Sequence, residues 1–119
     1  MRRDPRAYLW DVSDASSRIA EFVDGLDFAA FSTNALVRSA VERQFEIVGE
    51  ALSQLAKLDP ILASRVPEHR RIIAFRNVLI HGYAALDYWI VWRVIEEDLP
   101  ALRTAVNALL ATLGSLPQA

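Results

Sequence analysis

Three observations predict an all-α fold, a four- to five-helix up-down bundle. Hydrophobic residues make up 53% of the chain while Gly and Pro number only 4 and 5, the balance of a helix-leaning globular sequence rather than a disordered one. Apolar residues recur at three- and four-residue intervals through four long stretches, and no stretch alternates as a half-buried strand would. Proline, glycine and Asp/Asn residues sit where those stretches start and stop. A chain of 119 residues falls within the usual domain size of about 100–150 residues, so residues 1–119 are predicted to form a single helical domain without internal repeat or linker.

The first helix follows Asp4-Pro5, an N-cap with proline at the first helical position. It carries Tyr8, Leu9, Val12, Ile19, Phe22 and Val23 and ends at Gly25. Asp27 to Asn34 reads as a connector whose Ser32-Thr33-Asn34 can cap the next helix. That second helix is long, with a wide apolar face from Leu36 to Leu58, and Asp59-Pro60 stops or bends it. Its other face is a polar stripe of Glu42, Glu46, Gly49, Glu50 and Ser53 at four- and seven-residue spacing. After a short segment from Ile61 to Arg65, Pro67-Glu68 is expected to open a third helix through Ile72, Phe75 and Leu79, with Gly82 at its C′ position. Asp87 caps a fourth helix running to Leu113, kinked or split at Pro100. Trp10, Trp89 and Trp92 are expected to fill core or interface space.

Composition also narrows function. A net charge of -2 and a pI near 5.6 argue against indiscriminate attraction to nucleic acid, so any RNA contact is local. Absence of cysteine removes thiolate catalysis and thiolate metal sites, and it fits a cytoplasmic protein. The charged N-terminus is followed by no uninterrupted apolar run, so no signal peptide is expected. The longest apolar stretch, near Tyr83 to Trp92, is broken by Asp87 and too short to span a bilayer. With two histidines and no HExxH pattern, neither a metal site nor a cofactor is predicted.

The chemistry concentrates in Arg76-Asn77-Val78-Leu79-Ile80-His81-Gly82-Tyr83. Packing an apolar helix needs no arginine, asparagine and histidine, and buried charge is costly unless paired or used. On one continuous helix Asn77 and His81 share a face, whereas Arg76 and His81 lie about 140° apart. Two arrangements would unite them: the helix ends near Ile80 and His81 swings, or two copies of the helix pack across a two-fold axis. A histidine at a helix C-terminus sits beside the negative end of the macrodipole, a suitable place for a proton donor. Arg65, His69, Arg70, Arg71 and Arg76 form a basic run in which Arg70 and Arg71 could track RNA phosphates; such runs are also ordinary solvated faces. Because Gly49 permits close helix approach, Glu46 or Glu50 is expected to pair with Arg76.

The Arg-x4-His-x-Tyr pattern resembles the signature of the HEPN superfamily, and the chain is similar over nearly its whole length to HepT-type toxins. The matching segments are Arg3-Asp4 with Tyr8 to Asp11, Ala40 to Arg43 through Gly49 to Ala51, Arg70 to Tyr83, and Trp92 through Glu96 to Pro100. It departs from that pattern at His69, where tryptophan is common, and at Ala74, where glycine is frequent. The resemblance implies a metal-independent endoribonuclease toxin of a type II/VII-like toxin–antitoxin pair, acting as a homodimer on RNA. Arg76 and His81 would serve phosphoryl transfer, with Asn77, Glu50 and Glu46 in support. The implied partner is a minimal nucleotidyltransferase antitoxin that attaches AMP to Tyr83. Two other readings stay open at this level: a non-catalytic HEPN module that binds nucleotide or docks a nucleotidyltransferase, and a plain bundle that only dimerises.

Overall fold

The computed structural model describes residues 3–81 and 87–114, and every element among them is helical. Helix α1 spans Pro5–Val23. Asp4 caps it by accepting from the Arg6 N–H, and the Arg6 guanidinium grips the same carboxylate at 2.6 Å. These bonds from Arg6 hold the Asp4 carboxyl well below its usual range, at about 2. The Asp27–Asn34 connector contains a helical turn, α2 (Phe28–Ser32), because the Asp27 side chain accepts from the Ala30 N–H and starts it. Asn34 then caps α3 (Ala35–Leu58) through the Val37 N–H. At about 1.5 Å per residue α3 is roughly 36 Å long, nearly the full 40 Å extent of the molecule.

Asp59-Pro60 ends α3 and begins α4 (Pro60–Ser64), with Asp59 capping the Leu62 N–H. The third long helix does not open at Pro67-Glu68 as the sequence predicts. Glu68 sits at φ 56°, a left-handed conformation that cannot belong to a right-handed helix, so α5 spans His69–His81. Asp87 caps α6 (Tyr88–Arg93). Just before Pro100 the C-terminal helical stretch is divided, α-helix on either side of a π turn. Lacking an N–H, Pro100 cannot donate into the preceding turn; the chain widens into a π turn over Val94–Asp98, closed by Leu99 N–H to the Val94 carbonyl, and resumes as α7 (Leu99–Leu113).

Helix α3 lies centrally, packed on one side by α1 and on the other by α5, while α7 lies against α1. Leu9, Val12 and Ile19 of α1, Val41, Phe45, Val48 and Leu52 of α3, Ile72 and Phe75 of α5, and Leu102 and Val106 of α7 belong to one buried cluster. Burying side chains of this size contributes about 1.5–3 kcal/mol each, so the shared core is the main force holding the helices. Trp92 joins this core at 8% exposure and leans on Phe31. Trp92 is thus the one of the three tryptophans that enters the core; Trp10 is 53% and Trp89 46% exposed, and Trp89 meets Phe28 edge-on. No helix among the described residues is long and apolar enough to cross a membrane.

Candidate active site

The seat of Arg76 is built by two consecutive contacts between α3 and α5. Phe45 and Phe75 meet edge-to-face with ring centroids 5.3 Å apart, locking the two helices in register. One turn along α3 comes Gly49, and one residue along α5 comes Arg76. A Cβ at position 49 would stand 2.5 Å from the Arg76 Cβ and 3.0 Å from its Cδ. Only a glycine lets the arginine stem lie directly on the α3 backbone. Emerging beside α3, the guanidinium meets Glu50 at 2.8 Å (Nη2 to Oε2), and its Nη1 donates to the Asn77 Oδ1 at 3.4 Å. Gln54 in turn donates to the other Glu50 oxygen at 3.0 Å. Arg76 is thus oriented at three points while remaining partly exposed.

His81 is placed differently. It is the last residue of helix α5, close to the helix end expected near Ile80. Its side chain leaves an ideal helix about 140° from Arg76, is exposed, and has no side-chain hydrogen bond or ion pair with another described residue. A single copy therefore does not bring the two side chains together. Gly82 and Tyr83 lie outside the described residues.

The other predicted residues divide. Glu46 pairs with Arg43 on its own helix at 3.6 Å rather than with Arg76. Arg70 is exposed. Arg71 is engaged by Asp98 at the end of the π turn, a carboxylate whose side chain is only 8% exposed. Asp98 was not legible as a partner, since it is 27 positions away and the π turn that aims it arises from Pro100. Arg38 donates to the Ser32 carbonyl and covers the Tyr88 ring.

Clefts border this region on the α3 side. One, about 310 Å³, lies between α3 and the end of α5 and is lined by Ser39, Glu42, Arg43, Glu46, Leu79 and Ile80. Burial, with a smaller contribution from the nearby Glu46 charge, raises the Glu42 carboxyl above its usual value, partly offset by Arg38. Another, about 370 Å³, lies between α1 and α3 and reaches Glu50. Sequence reasoning assigned no site role to its lining residues Tyr8, Arg43 and Gln54. The i, i+4 spacing of Glu50 and Gln54 was the available signal. Among the described residues no group of three or more His, Asp and Glu side chains is arranged to hold a metal ion.

Comparison with known proteins gives a consistent result. The family model described as Ribonuclease HepT-like matches residues 12–109. "Putative RNase MJ1380" of Methanocaldococcus jannaschii is 32% identical over 106 residues, covering 89% of this chain and 96% of its own. "Probable ribonuclease HepT" of Thermococcus cleftensis is 32% identical over 103 residues, with 87% and 93% covered. "Putative RNase TTE0752" of Caldanaerobacter subterraneus is 32% identical over 108 residues, with 91% and 96% covered. No solved structure matches significantly.

Proposed function

The chain belongs to the ribonuclease HepT-like family, and on that premise we propose that it is a metal-independent endoribonuclease using Arg76 and His81, the toxin of a toxin–antitoxin pair acting in the cytoplasm. The observation that carries this reading is the seat of Arg76: a glycine cut into α3 for one arginine stem and a carboxylate holding its head. An arginine needed only for packing would require neither. Cleavage of RNA through its own 2′-hydroxyl calls for a proton-transfer group and a fixed cation where charge grows on phosphate. His81 supplies the first and Arg76 the second. Asn77 keeps the guanidinium turned outward, and Arg70, exposed on the same helix, guides the phosphate backbone.

Because the two catalytic side chains diverge on one helix, the active unit is a two-fold homodimer in which Arg76 of one copy faces His81 of its partner. The exposed apolar Val78 and Ile80 of α5 supply the contact. Regulation comes from a minimal nucleotidyltransferase antitoxin that adenylylates Tyr83, two residues past His81, placing bulk and negative charge where RNA phosphate enters. The chain is one HEPN-like domain from residue 1 to 119.

The test is cleavage of RNA by purified protein in EDTA. The wild type retains activity, whereas His81→Ala and Arg76→Ala each lose about 10²–10⁴-fold, the scale of a positioned acid or base. Mixing the two inactive variants restores part of it, because one of the two shared sites is then intact. Full activity in His81→Ala overturns the catalytic assignment, and a strictly monomeric active protein overturns the shared site. Tyr83→Phe remains active but escapes silencing by the nucleotidyltransferase with ATP and magnesium.

A further inference from the structure

The cleft between α1 and α3 is joined to the Arg76 seat by a single side chain. Glu50 pairs with Arg76 through one oxygen and accepts from Gln54 through the other, and both Glu50 and Gln54 line the cleft. Whatever enters the cleft is therefore one residue removed from the cation assigned to phosphate. At about 370 Å³ it lies at the lower end of the roughly 300–1,000 Å³ typical of small-molecule sites. That suits a group of nucleoside size rather than a peptide segment.

Its walls carry the means to hold a flat heterocycle. The Arg3 guanidinium lies 4.7 Å from the centroid of the Tyr8 ring and is fixed from the side by Asp11 at 2.8 Å. The guanidinium, already oriented, offers a stacking surface, and guanidinium planes stack on bases as aromatic rings do. Gln54 gives one N–H to Glu50; its second N–H and its carbonyl oxygen supply a neighbouring donor and acceptor, the pairing that the hydrogen-bonding edge of a base complements. Ile47 and Ala51 add apolar lining to the same cleft.

Charge decides between a base and a phosphate. Among the lining residues Arg3 and Arg43 are cationic, while Asp11, Glu46 and Glu50 are anionic. The carboxylates outnumber the guanidiniums, each of which already has an acidic partner. A phosphate would meet net repulsion here; a neutral base would not.

We propose that this cleft is a nucleobase subsite, which receives the unpaired base of a nucleotide next to the scissile phosphate and so makes cleavage depend on an unstacked base at that position. The inference rests on the ribonuclease reading above. It assigns Tyr8, Arg3 and Gln54 to substrate recognition rather than to proton transfer. Base recognition sits on α1 and α3, phosphate chemistry on α5, and Glu50 joins them.

The experiment uses a short single-stranded oligoribonucleotide containing one cleaved position, together with versions in which the base on either side of that position is replaced by an abasic ribose. For the wild type, removing the base that occupies the cleft lowers kcat/KM by about 10-fold or more, the scale of one stacked base; removing the other has a smaller effect. Gln54→Trp, which fills the cleft at a partly exposed position, and Tyr8→Leu, which removes the support under Arg3, cut the base-bearing RNA about 10-fold less efficiently than wild type. In both variants the ratio of kcat/KM on base-bearing RNA to that on abasic RNA falls about 10-fold below the wild-type ratio, whatever loss the two RNAs share through the Gln54 bond to Glu50. Comparing the two RNAs within one folded variant separates recognition from misfolding. Equal losses on both RNAs, or wild-type indifference to abasic replacement on either side, overturn the subsite. A wild type that cleaves no RNA instead overturns the ribonuclease reading, and the two failures are distinct.

Discussion

Arg76 and His81 stand five residues apart on one helix, yet the protein treats them in opposite ways. Around Arg76 the chain is specialised: Phe45 and Phe75 fix the helix contact, Gly49 clears space for the stem, and Glu50 and Asn77 hold the head. The His81 side chain is exposed, and no side-chain hydrogen bond or ion pair ties it to another described residue. Catalytic groups gain from being held within a fraction of an ångström of their working geometry. One half of the motif is thus prepared by its own chain while the other half waits for something to arrive. A second copy of α5 is the arrival that our functional reading requires.

The contrast makes Gly49→Ala the most damaging small change. Its new methyl would lie 2.5 Å from the Arg76 Cβ, an atom fixed to the α5 backbone, so the helices must separate rather than a side chain turn aside. Alanine favours a helix interior over glycine by up to about 1 kcal/mol, but overpacking of this kind costs about 1–3 kcal/mol. Net destabilisation is expected in chemical denaturation, together with a loss of RNA cleavage greater than the loss of folded protein explains. Wild-type stability in Gly49→Ala would mean that the seat is not tight, and the contrast with His81 would dissolve. His81→Ala, with no bond among the described residues to lose, unfolds within about 0.5 kcal/mol of wild type.

A finer test is Glu50→Gln. With the Arg76 and Glu50 side chains 28% and 48% exposed, the pair is worth roughly 0.2–1 kcal/mol to stability, so the melting temperature moves little. Activity should move more, and in a split manner. Freed of a carboxylate at 2.8 Å, Arg76 attracts RNA phosphate more strongly and KM falls; no longer aimed, it stabilises the transition state less and kcat falls with it. A fall in both constants identifies Glu50 as a positioning residue. Unchanged kcat would make it an ordinary surface partner.

How much of this was legible in the sequence depends on how local each cause is. Caps at Asp4, Asn34 and Asp87 act on the next few residues, and α1, α3 and α6 begin where those residues sit. Pro67-Glu68 misled because proline's preference for a first helical turn says nothing of the left-handed backbone at Glu68. The pairing of Glu50 with Arg76 could be anticipated from a glycine beside a glutamate on one polar stripe. Which of Glu46 and Glu50 would reach could not, since that depends on the register set by Phe45 and Phe75, a contact between two separate helices. The engagement of Arg71 by Asp98 was hidden for the same reason, with a π turn added. The cleft at Tyr8 was invisible because its walls come from two helices and its size from their spacing.

The smallest expected effect concerns the poorly braced end of α5. Glu42 lies in the cleft beneath Leu79 and Ile80, facing Arg38 and Glu46 with Arg43 nearby. Burial raises its carboxyl above the usual value of 4.5, more than Arg38 lowers it. A carboxyl raised in the folded chain holds its proton more tightly there than in the unfolded chain, so ionising it costs stability. That cost is absent below the unfolded value and complete above the raised folded one. Glu42→Gln, which keeps the shape and removes the charge, should therefore raise the melting temperature at pH 7 and leave it unchanged near pH 4. Partial exposure and solvent screening keep the gain to a few tenths of a kcal/mol, about 1–2 °C. If the gain instead persisted at pH 4, it would come from packing rather than from charge. If stability at pH 7 fell, Glu42 would be bracing the His81 end through Arg38, and the difference between the two ends of α5 would be smaller than the structure indicates.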